Sequence, residues 1–118
     1  MVWVFKMTNY IWVTTQREFM HKYNDAPKEV KFLSYPHRHI FHFKVYIEVR
    51  TNDRDIEFII FKRFIEKLLN NFKFDLNGSS CEMISDYLIV FIKGKYPHRK
   101  VKIEISEDKE NGILMNYE

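Results

Sequence analysis

The chain has little of what builds covalent or metal-only scaffolds. It holds one cysteine, Cys81, with three prolines and three glycines in 118 residues. A single cysteine excludes an intrachain disulfide and any zinc site made of cysteines alone. No stretch rich in proline, glycine or serine divides the sequence, so one domain over residues 1–118 is expected. No apolar run approaches the ~20 residues that a membrane-spanning helix needs. The apolar opening MVWVFK is interrupted by Lys6 and is followed by no small-residue cleavage site, unlike a secretory signal. A soluble cytoplasmic protein with no membrane partner is the expectation. Charge of one sign is also missing. The formal net charge is +3, and acids and bases interleave in KRFIEK and KVKIEISEDKE. No stripe supplies the phosphate-neutralising charge of a nucleic-acid binder, so nucleic acid is not an expected partner.

Aromatic residues are plentiful, with 11 phenylalanines and 7 tyrosines, and these favour strands. Residues 2–16, rich in Val, Trp, Tyr, Ile and Thr, predict a first strand. Residues 37–50 alternate cleanly. His37, His39, Phe41, Phe43, Val45, Ile47 and Val49 share one face, while Arg38, Ile40, His42, Lys44, Tyr46, Glu48 and Arg50 share the other. TNDRD at 51–55 is a turn cluster. Residues 56–72 place apolar side chains at 58, 61, 65, 68 and 72, with Ile60 and Phe64 widening that helical stripe. Ser79 with Glu82 matches a capping box that opens a second helix over 80–93, ending near Gly94. RKVKIEIS (99–106) alternates as a strand, and ILMNY is a short last one. Strands flanking two helices predict an α+β layer: a four-stranded antiparallel sheet with two helices on one face. Its other face calls for a cover, and a second subunit would supply it.

Three of the five histidines fall within six residues, in YPHRHIFHF, while YPHRKVKIEI at 96–105 repeats the first four letters without the second histidine. On a strand, H-x-H points two imidazoles the same way, about 6.5–7 Å apart along the chain. His37 and His39 can then share one ion, and a catalytic zinc needs a third protein ligand. His21, just after the first strand, is the best-placed candidate. His98 opens another strand, and His42 faces away from the pair. The pattern has a plainer alternative, an aromatic strand whose histidines hydrogen-bond or stack. Cys81 reads as a helix cysteine with no histidine near it in sequence, not as a nucleophile. Asp108 and Glu110 read as caps of an exposed turn, and Trp3 and Trp12 as packing residues.

The order of these pieces resembles the 6-pyruvoyl-tetrahydropterin synthase and 6-carboxytetrahydropterin synthase family of the tunnelling fold, including its short phage-type relatives. HRHIF echoes the family's His-Gly-His-Asn-Tyr motif. Ile56-Glu57-Phe58 echoes its Val-Asp-Phe, and SSCEM its Pro-Thr-x-Glu-Asn helix start. The match spans most of residues 10–118, and the order of motifs carries it. The resemblance implies zinc held by His21, His37 and His39. It also implies that Glu107 grips the N–H edge of a pterin- or purine-like ring, and that the chain forms a homo-oligomer with sites between subunits. Arg38 and Lys44, on the opposite face, would then line a tunnel or sit at a subunit boundary.

The chain departs from the family at its proton relay. PKEVKFLSYP, just before H-x-H, has no cysteine, and the relay Asp-His pair reads Asp75-Leu76. A positioned acid or base is worth ~10²–10⁴-fold in such chemistry. Two functions therefore stand side by side. One is a tetrahydropterin-synthase-like lyase with an altered relay. The other is a non-catalytic protein that holds a nucleotide-like ligand or a protein partner.

Overall fold

The computed structural model describes residues 7–72 and 79–118, apart from the side chain of His21. The sheet has four strands, all antiparallel, in the order β1 (Asn9–His21), β2 (His37–Val49), β3 (Val101–Glu107), β4 (Asn111–Tyr117). Two α-helices, α1 (Phe58–Asn71) and α2 (Cys81–Lys95), lie between β2 and β3 in sequence. A short 3-10 segment, Lys28–Ser34, joins β1 to β2. No described helix is long and apolar enough to cross a membrane.

Period two in the strands and period four in the helices converge on one core. Phe41, Phe43, Val45 and Ile47 of β2 and Val101, Ile103 and Ile105 of β3 are buried. They meet Phe61, Ile65 and Leu69 of α1 and Ile84, Leu88 and Ile92 of α2. Both helices thus cover the odd-numbered face of the sheet, α1 over β1 and α2 over β3 and β4. Each fully buried Leu, Ile or Phe contributes ~1.5–3 kcal/mol, so this face is the main stabilising element. Arg17 pins the edge strand to α1 through Asn70 Oδ1, at 2.8 Å.

Several boundaries differ from the sequence reading. The first strand runs to His21 rather than to residue 16, because β2 templates it along all thirteen residues, from Asn9 opposite Val49 to His21 opposite His37. Residues 2–6 of the expected strand lie outside the described residues. Ser80, not Ser79, caps α2, its hydroxyl accepting from the Met83 amide at 3.1 Å. That satisfies one orphan amide of the first turn. Gly94 sits inside α2. The helix continues through Lys95 and closes with the Tyr96 amide donating to the Ile92 carbonyl at 2.8 Å. In α1, Phe58 and Ile60 are exposed rather than part of the buried stripe, which runs through Phe61, Ile65 and Leu69. Trp12 is not a core residue. It is 54% exposed on the open face, where the Lys44 ammonium lies 4.3 Å from its ring centre. Trp3 lies outside the described residues.

Candidate metal and ligand site

β1 and β2 are longer than β3, whose last paired residue, Glu107, stands opposite Phe41. Beyond that point β1 and β2 continue alone as a two-stranded ribbon. His37 and His39 extend the inward series of Phe41, Phe43, Val45 and Ile47 onto this ribbon, past the end of the buried core. That position explains how an inward register can carry imidazoles without burying them in hydrocarbon. The β3–β4 turn supplies the missing wall. Asp108 and Lys109 both adopt positive φ, 55° and 60°, the signature of a tight hairpin turn. The Asp108 amide donates to the Ile40 carbonyl at 2.8 Å, which carries the β3 chain one step further along β2.

Two acids meet one imidazole here. His39 Nδ1 lies 2.6 Å from Asp108 Oδ2, and His39 Nε2 lies 3.6 Å from Glu107 Oε2. The Ile40 amide also donates to Asp108 Oδ1, at 2.9 Å. These bonds, from the Ile40 amide first and the His39 ring next, hold the Asp108 carboxyl below the usual carboxylate range. His39 Nε2 is buried and has no hydrogen-bond partner among the described residues. His37 donates through Nδ1 to the Tyr35 carbonyl at 2.7 Å, and its ring meets His39 edge to face at 4.6 Å.

Next to the histidines is a cavity of about 450 Å³, lined by His37, Glu107, Lys22, Tyr23 and the first residues of α2. Its size suits a small organic molecule. Cys81 borders it, but burial first, then Glu107 and Glu82, push its thiol up to about 12. It is therefore a poor nucleophile. The wall is acidic at Glu82 and Glu107, so it favours a cation or a ligand edge rich in N–H donors.

Of the expected site residues, the fold brings His37, His39 and Glu107 together and places His21 at the register position facing His37. The His21 side chain lies outside the described residues. Among the described residues, no three His, Cys, Asp or Glu side chains form a group able to hold a metal ion. The two imidazoles do fit a metal in their chemistry. A ligating histidine usually donates its other ring N–H to a carboxylate or a carbonyl, as His39 does to Asp108 and His37 to Tyr35. His98 is excluded from the cluster. It sits in a turn before β3, its carbonyl bonded to Arg50, at the far end of the antiparallel ladder. His42 lies on the open face, in a wide groove with Lys44, Glu104 and Ser106.

Asp108 corrects the sequence reading. It grips β2 instead of capping an exposed turn. No local pattern announces it, because its partner His39 is 69 residues away. The open-face cations are already engaged, Arg38 with Glu18 at 2.6 Å and Lys44 over Trp12 and Tyr46. The relay position at Asp75-Leu76 lies outside the described residues. Neither a protein-family model nor a curated protein sequence matches this chain.

Proposed function

We propose that this chain is a tunnelling-fold protein that holds zinc through His21, His37 and His39 and binds a pterin- or purine-like molecule in the adjoining cavity. Glu107 accepts from the N–H edge of the ring, and the chain works as a cytoplasmic homo-oligomer with the site at a subunit boundary. The observation that carries this reading is the buried Nε2 of His39, without a hydrogen-bond partner among the described residues while its Nδ1 is held by a carboxylate. Burying a polar atom unpaired costs ~1–3 kcal/mol, a cost that a metal ligand does not incur. Further support comes from the His21–His37 register and from the antiparallel sheet with both helices on one face. Zinc bound there supplies a Lewis acid for ligand oxygens.

A second reading, the non-catalytic holder, rests on the same pocket. It is favoured by the one cysteine of the chain being held far from its thiolate form.

Metal content by plasma mass spectrometry tests the site. The wild-type chain should carry about one zinc, as a single three-ligand site requires. His39→Ala and His37→Ala should lose it, and His42→Ala on the open face should keep it. Zinc retained in His39→Ala, or none in the wild type after incubation with excess metal, sinks the proposal. Turnover of dihydroneopterin triphosphate then separates lyase from holder: product formation supports the former, and binding without product the latter.

A further inference from the structure

Asp108 stands at three points against β2. Its amide donates to the Ile40 carbonyl, one carboxylate oxygen accepts from the Ile40 amide, and the other accepts from His39 Nδ1. It does this from a left-handed conformation, φ 55°, and Lys109 beside it is left-handed too. For L-residues that conformation costs ~1–2 kcal/mol, and such strain persists where the surroundings over-determine it. Asp tolerates this conformation as Asn does, so the cost falls mainly on Lys109, where a turn with no other task would use glycine. This one instead delivers a carboxylate to an imidazole.

We infer that Asp108 is a positioning residue: it fixes His39 as the Nδ1–H tautomer and aims the bare Nε2 towards Glu107, which lines the cavity. The inference rests on the metal-site reading above for its purpose, though the tautomer itself does not depend on metal. A carboxylate is acceptor-only when ionised, so the ring nitrogen facing it must carry the proton. In the neutral ring the other nitrogen is then a lone-pair donor. The two hydrogen bonds to His39 and Ile40 leave the ring little freedom to rotate away. Glu107 and Asp108 face opposite nitrogens of one ring, but Glu107 Oε2 stands 3.6 Å from Nε2, beyond hydrogen-bond reach, so Asp108, at 2.6 Å from Nδ1, is the acid that holds the proton.

Asp108→Asn is the informative change. Asn tolerates a left-handed backbone, and its amide oxygen can still accept from the Ile40 amide. Its NH₂ group, however, would face His39 Nδ1 as a donor and drive the proton to Nε2. Asp108→Gly keeps the turn and removes the side chain, as a second variant should Asn perturb the fold. Nitrogen-15 NMR of the metal-free protein at neutral pH reads the tautomer directly. The wild type should show His39 protonated at Nδ1, and the Asn variant should show it at Nε2. A zinc titration of the same samples should show affinity weakened by roughly 10- to 100-fold in the Asn variant. A wild-type His39 that is protonated at Nε2 or at both nitrogens overturns the inference. So does unchanged zinc affinity in an Asn variant with an unchanged tautomer. If the wild type takes up no zinc but its tautomer switches as stated, Asp108 keeps its positioning role and the metal reading alone fails.

Discussion

Single residues in this chain separate chemistry from look-alikes by what lies within a few ångströms of them. His39 and His42 are three positions apart on one strand, yet period two sends them to opposite faces. One meets two carboxylates and the other an open groove. Cys81 is the counterpart case. Its position at the start of a helix would normally lower a thiol pKa, but burial and two nearby acids win. Alkylation by iodoacetamide at mildly alkaline pH should therefore run on the order of 10- to 100-fold slower in the native protein than in urea. The higher nucleophilicity of a less acidic thiol offsets part of its lower thiolate fraction. Equal rates in the two states would show that burial, with the two acids behind it, does not hold the thiol up in the folded chain.

At the scale of elements, the two described glycines make opposite demands. Gly94 lies within α2, and a methyl group there would meet nothing within 4 Å. Replacing it with alanine should raise stability by ~0.5 kcal/mol or less, a part of the interior cost of glycine, because Gly94 lies in the last turn. Gly112 lies in β4 opposite Ser106, and a Cβ there would collide with the Ile105 carbonyl and the Ser106 backbone. Gly112→Ala should cost ~1–3 kcal/mol and loosen the β3–β4 hairpin that carries Glu107 and Asp108. Chemical denaturation of both variants checks the pair. A neutral Gly112→Ala would mean that β4 does not approach β3 as closely as described. α2 also shows how local signals compete. The capping-box pattern pointed to Ser79, but the cap is its neighbour Ser80, whose hydroxyl reaches the Met83 amide.

Across the whole molecule, one ion pair ties the end of the sheet remote from His37 and His39. Asp55, in the connection after β2, accepts from Arg99, just ahead of β3, and from the Arg50 amide. The Arg99 side chain first, then that amide, hold the Asp55 carboxyl below its ordinary value of 3.8. The unfolded chain therefore takes up this proton more readily than the folded one. The stabilisation is complete above the ordinary carboxylate range and is lost as pH falls through the depressed folded value. Asp55→Asn should lower stability at neutral pH and flatten the acid side of the stability curve. Urea midpoints measured from neutral pH into acid, for both proteins, decide this. Parallel curves would remove the pair from any role in acid unfolding.

Much of the architecture followed from periodicity. Alternation over 37–49 and the apolar spacing at 61 and 65 are consequences of strand and helix geometry, so they could be read one segment at a time. The inward facing of His37 and His39 was legible for the same reason, as was the exclusion of His42. The extension of β1 to His21 was not, because Arg17 and Glu18 blur the local pattern and pairing with β2 decides it. Nor was the exposure of Trp12, which depends on which face the helices cover. Asp108 was least legible of all. Its role exists only because a strained turn 69 residues downstream closes on His39. The sequence alone determined the elements, their faces and the pair of imidazoles, since these are local. Tertiary structure decided which acids flank those imidazoles, since hydrogen bonds between distant strands have no signature in either strand.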